Sequence, residues 1–322
     1  MKPERRRVII NSDAKNEADD QFAIVHALLS PSLAVRGLIP AHFGTARSDR
    51  SMAESREEID RLLDLLALPG RVPVANGAST PVIDRQTPQD SPGARLIVTE
   101  STLATPDDPL YVAFLGPLTD MASAILLDPE IVRRPVVVIW IGGVGHGGVE
   151  SYPGVEFNLG NDITAANLVF DSGITLWQVP SNVYSQVSVG YAELAEKIGG
   201  TSDLADYLIR QMVEWNATYW PVPIESRSLG DSPAVSLLLY PGGGTFRCVP
   251  APRFGREGHY LPGSGHPIRV VESVDVRFLI EDMFAKIRRF GKDTSSASRL
   301  YPPPTPATPG TVTRPAYEGD QT

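Results

Sequence analysis

Short apolar runs, rich in β-branched or aromatic residues and bounded by Gly, Pro or Asp, recur along the chain at residues 8–10, 33–39, 72–74, 110–115, 136–141 and 174–179. They are too short for helices and read as strands. Between them lie segments with apolar residues at helical spacing. Residues 51–68 place Ile59, Leu62, Leu63, Leu65 and Leu66 among charges before stopping near Pro69-Gly70, as an amphipathic helix does. Similar segments occupy residues 118–127, 163–170, 191–198, 204–220 and 276–290. Strands alternating with helices predict an α/β fold: an open, mainly parallel sheet with helices on both faces. The pattern fades after residue 293, where six prolines and many Ser and Thr leave little apolar surface to bury. The expected division is one α/β domain over residues 1–293 and a disordered Pro/Ser/Thr-rich tail over 294–322.

Composition adds exclusions. A formal charge of −9 argues against a nucleic-acid surface, which needs clustered Lys and Arg. No stretch approaches the length of a membrane span, and no apolar leader precedes the first strand, so a cytoplasmic protein that binds neither nucleic acid nor membrane is expected. The lone Cys248 offers no intramolecular disulfide.

Candidate chemistry begins where the first strand ends. Asp13, Glu17, Asp19 and Asp20 lie within eight residues, between a strand and a helix marked by Phe22, Ile24, Val25, Leu28 and Leu29. In open α/β sheets ligands bind outside the carboxyl ends of the strands. Carboxylates this dense repel one another unless solvated or neutralised, and oxygen ligands without His or Cys suit a hard cation, Ca²⁺ more easily than Mg²⁺. An acidic helix N-terminus complementing the macrodipole explains the same residues. Further motifs follow later strands: Leu115-Gly116-Pro117-Leu118-Thr119-Asp120, then Gly142-Gly143 leading to Glu156-Phe157-Asn158, and Gly230-Asp231-Ser232-Pro233 before an apolar helix.

In this order the motifs resemble the inosine-uridine nucleoside hydrolase family, over roughly residues 7–290. The resemblance implies cleavage of the N-glycosidic bond of a ribonucleoside, or a related N-ribosyl compound, by metal-activated water. It implies Ca²⁺ held by Asp13, Asp20, the Leu115 carbonyl and Asp231, with Asp13 also acting as base on the water. Asp19, Thr45, Glu156, Asn158 and Asp231 would bind the sugar, with Asp162 nearby, and a homodimer or homotetramer is implied. The sequence departs from the family pattern in that Asn11 replaces an aspartate, the Asp13–Asp19 loop is two residues longer than usual, and Gly230 stands where many members carry a His. Glu150 also replaces an Asn of the sugar pocket. His42 is the candidate acid for the leaving group, with Arg227, Trp215, Tyr219 and Trp220 as candidate neighbours of the base. His146 falls in a Gly-rich stretch without an assigned role. A Ca²⁺-dependent ribosyl-binding protein without turnover and a metal-dependent phosphoesterase are the competing readings; the second lacks a phosphate-binding glycine loop.

Overall fold

The computed structural model describes residues 5–147 and 154–303. In chain order the elements are β1 (Arg6–Ser12), α1 (Asp20–Leu28), β2 (Leu33–Pro40), α2 (Ser51–Leu65), α3 (Pro92–Ser101), β3 (Leu110–Phe114), α4 (Thr119–Leu127), β4 (Val136–Ile141), α5 (Phe157–Asn161) and α6 (Ile163–Asp171). They continue with β5 (Thr175–Val179), α7 (Ser181–Tyr184), β6 (Ser188–Gly190), α8 (Tyr191–Ile198), α9 (Asp203–Tyr219), β7 (Ser226–Ser228), α10 (Ser232–Leu239), β8 (Gly244–Pro250), β9 (Arg253–Phe254), β10 (Tyr260–Leu261), β11 (Pro267–Val274), α11 (Val276–Lys292) and α12 (Ser295–Leu300).

Seven strands form one sheet in the order β2-β1-β3-β4-β5-β11-β8, and only β8 runs antiparallel to its neighbour. The expected α/β architecture is the observed one. Side chains alternate across a strand, so β1 feeds two cores: Val8 and Ile10 pack with α1, α2, α8, α9 and α11, while Ile9 packs with α3, α4 and α6. Helix α1 is buried on every side, as a helix apolar around its whole circumference must be. The strand order reverses beside β1, with β2 on one flank and β3 on the other. This is the switch point where a crevice opens at the carboxyl ends of the strands.

Several expectations shift. Residues 72–74 form no strand of their own and contribute a single bridge between Leu38 and Val74, because Pro73 in their middle has no N–H to add to a ladder. Helix α3 was hidden by Pro92-Gly93, which reads as a turn. Here Ser91 caps the helix through Ala94 N at 2.9 Å and Pro sits in the first turn, where its missing N–H costs nothing. Ordered structure continues past residue 293. In α12 Ala297 is fully buried, Tyr301 beyond it is 6% exposed, and the Arg5 guanidinium lies over the Tyr301 ring at 5.1 Å. Residues 304–322 of the expected tail, and Glu150, lie outside the described residues. Among those described, no helix is long and apolar enough to cross a membrane.

Candidate active site

Where β1, β3, β4 and β5 end, a cleft of about 380 Å³ opens, walled by Asp13, Asn16, Glu17, Asp19, Asp20, Leu115, Ile141, Glu156, Phe157, Asn158, Tyr184, Gly230 and Asp231. Six carboxylates therefore converge from three separate stretches of chain. Asp13 follows β1 directly, and Gly116 is needed behind it, since a Cβ there would stand 2.7 Å from Asp13 Oδ1. Asp20 begins α1 and accepts from Ser12 Oγ at 2.6 Å. Asp19 accepts from the backbone N–H groups of Gly230 and Asp231, which docks the loop before α10 against the start of α1.

Carboxylate oxygens of Asp19, Asp20 and Asp231 all lie within 4.8 Å of one another. Burial, then the charges of Asp20 and Asp19, push Asp231 well above the usual carboxylate range. Burial, then Asp19, pushes Asp20 up to about 7. Asp13 is raised by burial and then by Asp20, and its Oδ2 is buried without a hydrogen-bond partner. A cation supplies what this arrangement lacks: charge for the trio and a partner for the orphaned oxygen. The donor set, all oxygen, fits a hard divalent ion. The trio also includes Asp19, which the sequence assigned to the sugar, while Asp13 stands beside it.

The opposite wall is built on Glu156, the N-cap of α5. Its carboxylate accepts from Gly143 N at 2.8 Å, Leu159 N at 2.9 Å, Asn158 N at 3.3 Å and Tyr184 Oη at 2.9 Å. Asn158 Nδ2 donates to the carbonyls of Leu115 and Ile141 at 2.6 and 2.9 Å, so one amide ties the ends of β3 and β4 together at the cleft floor.

The lengthened loop between Asp13 and Asp19 is clamped at nearly every residue. Gln21 Nε2 donates to Ala14 O at 2.6 Å, Trp215 Nε1 to Asn16 O at 3.0 Å, and Gln211 Nε2 to Ala18 O at 2.8 Å. Arg47 also holds Asn16 and lies over the Phe157 ring at 4.6 Å. Glu17 forms an ion pair with Arg227, whose guanidinium stacks 4.1 Å from the Trp215 ring. These contacts hold Asn16 and Glu17 on the cleft wall. The Asn11 substitution has a counterpart of its own. Asn11 Nδ2 donates to Asp120 Oδ2 at 2.8 Å, and Asp120 also accepts from Ser91 Oγ and Ala78 N.

Residues 8–280 match the model of the inosine-uridine preferring nucleoside hydrolase family. The chain belongs to that family. By family it is an N-glycosyl hydrolase acting on ribonucleosides, and the family is metal-dependent. It is 27% identical over 233 residues to a probable uridine nucleosidase of Arabidopsis thaliana, covering 64% of this chain and 69% of that one. It is 26% identical over 224 residues to a pyrimidine-specific ribonucleoside hydrolase of Citrobacter koseri, covering 62% and 68%. Among solved structures, a purine-preferring ribonucleoside hydrolase from Gardnerella vaginalis superposes with TM-score 0.73 at 20% identity, covering 89% of this chain and 99% of that one, which shows the shared fold.

Not every expected residue of this nucleoside hydrolase reaches the cleft. Asp13, Asp19, Asp20, Leu115, Glu156, Asn158 and Asp231 do. His42 does not line it. It is 1% exposed, its Nε2 lies 2.8 Å from Thr119 Oγ1, and its Nδ1 accepts from Gly44 N. Burial lowers its pKa to about 4, so it is neutral and structural rather than an acid for the leaving group. Thr45 is exposed and does not line the cleft. Asp162 caps α6 through Ala165 N and accepts from Val82 N and Thr119 Oγ1, a fold-holding role that leaves it no part in sugar binding. Trp215 and Arg227 brace the loop, while Tyr219 and Trp220 are exposed away from the cleft wall. His146 bonds Gln178 Oε1 at 2.9 Å and stacks on Tyr260. Sequence reasoning missed Asn16 and Tyr184 as cleft residues, and placed Glu17 in the acidic cluster without a role of its own. Tyr184 follows the end of β5, and the strand-end rule applied to that strand points to it.

Proposed function

We propose that this hydrolase cleaves the N-glycosidic bond of a ribonucleoside with Ca²⁺ held by the carboxylates of Asp13, Asp20 and Asp231 and the Leu115 carbonyl. The observation that carries this reading is the convergence of buried carboxylates around Asp13, whose Oδ2 has no partner within the protein. When bound, the ion supplies positive charge that balances the site and makes a water easier to deprotonate. Asp13 takes the water's proton, as a carboxylate on the cleft wall beside the metal-binding trio. Asp19, Glu156, Asn158 and Asp231 hold the ribose hydroxyls, and the remaining negative charge favours the cationic character that develops on the sugar as the base leaves. Uridine and other pyrimidine nucleosides are the first substrates to try, given the names of the relatives. Incubation with uridine, cytidine, inosine and adenosine, following free ribose, tests the reading: release from at least one supports it. Ligand binding without ribose release in the presence of Ca²⁺ supports a binding protein instead. A cytoplasmic homodimer or homotetramer completes the reading, and light scattering tests the subunit count.

A further inference from the structure

Cleavage of a C–N bond leaves negative charge on the departing nitrogen, so the site needs a hydrogen-bond donor on the leaving-group side. Position 230 has no side chain, and His42 is buried elsewhere. The cleft wall is dominated by carboxylates, which accept rather than donate. Three neutral side chains in it carry N–H or O–H donors: Asn16, Asn158 and Tyr184. The Asn158 amide is committed to two carbonyls, whereas Arg47 holds Asn16 through its carbonyl and Oδ1 and leaves its Nδ2 as the other candidate donor.

Tyr184 differs in two respects. Its ring fills the space a side chain at position 230 would take: a Cβ on Gly230 would stand 2.9 Å from Tyr184 Cδ2. Its hydroxyl donates to Glu156 Oε1, yet Glu156 keeps three backbone N–H donors if that hydroxyl turns away. The donor can therefore swing to a substrate without orphaning a buried charge. The Tyr184 backbone is pinned by Ser228 Oγ, 2.9 Å from its carbonyl, so only the side chain need move.

We propose that Tyr184 is a catalytic residue that donates a hydrogen bond to the leaving group, a role that rests on the hydrolase reading above. As the C1′–N bond breaks, its electron pair passes to the nitrogen and the Tyr184 O–H bond stabilises that charge. The water oxygen bonds to C1′, the water's proton passes to Asp13, and the leaving nitrogen takes a proton from solvent. Burial, and then the negative charge of Glu156, hold the phenol well above its usual pKa, so the O–H is intact throughout the neutral range.

The experiment compares Tyr184→Phe with the wild type on uridine or inosine and on 4-nitrophenyl β-D-ribofuranoside, whose leaving phenolate needs no donor. The expected result is a fall in kcat on the nucleoside of about 100-fold with little change on the nitrophenyl riboside. Gly230→Ala, which presses on the ring and leaves the hydroxyl in place, should give a weaker loss with the same selectivity. Equal losses on both substrates, or none on either, overturn the proposal. A wild-type protein inactive on both substrates overturns the hydrolase reading, and this one with it.

Discussion

Asn11 and Asp120 meet in a space closed to water, so the charge at one position dictates the other. Asn11→Asp would set two carboxylates against each other where Asn11 Nδ2 now donates at 2.8 Å, and should destabilise the fold by about 2–4 kcal/mol. Adding Asp120→Asn should recover most of that loss, because the amide retains an oxygen for Ser91 and Ala78 and gains a donor toward position 11. Chemical denaturation of the two single variants and the double variant checks the coupling, and simple additivity would contradict it. His42 carries a second prediction at this scale. With its folded pKa near about 4 against an unfolded value of 6.5, the unfolded state binds more protons between these limits. The contribution is fully present above pH 6.5 and is lost as pH falls toward 4. Over that window the wild type should lose about 3 kcal/mol more than His42→Gln, measured by denaturation at each pH. The acidic residues were legible because they lie close in sequence. The partner of Asn11, 109 positions away, was not.

The elements that shape the cleft owe their positions to contacts across the fold. The loop from Asp13 to Asp19 is local in sequence, and its extra length was readable, but much of what holds it comes from α9 and β7. Trp215 and Arg227 were read as possible neighbours of the base because an aromatic or a cation near Asp231 has several uses; only the fold shows that both brace this loop. Trp215→Ala should release it. The expected outcome is faster amide exchange across residues 14–18 and a rise in KM of about tenfold with a smaller change in kcat, as for a lost ground-state contact. Unchanged exchange would mean that Gln21 and Gln211 suffice. The strands of the parallel core were legible from their apolar runs, whereas β8 and β11 were not. Exposed polar residues interrupt both, and such strands form because a neighbour offers an edge rather than because their own pattern demands it.

At the scale of the whole molecule, the first and last segments of the described structure are fastened together. Arg5 donates to Leu300 O at 2.8 Å and lies over Tyr301, while Arg71 reaches the carbonyls of Ser298 and Tyr301. A chain ending at residue 303 should therefore keep stability that one ending at residue 293 lacks, about 2–3 kcal/mol from the burial of Tyr301 and Ala297, read as a difference in Tm. Proline-rich composition concealed this short helix, since its stability comes from docking and not from its own sequence. The central claim concerns the carboxylate pocket that the whole sheet assembles: a divalent cation and Asp13 together hydrolyse a ribonucleoside. Its most direct test is ribose release from the best nucleoside of the panel by chelator-treated protein as Ca²⁺ is restored, for the wild type and Asp13→Asn in parallel. The account predicts that wild-type activity returns with the ion and that Asp13→Asn stays at least about 100-fold lower at saturating Ca²⁺; release that survives chelation, or that Asp13→Asn retains, would contradict it.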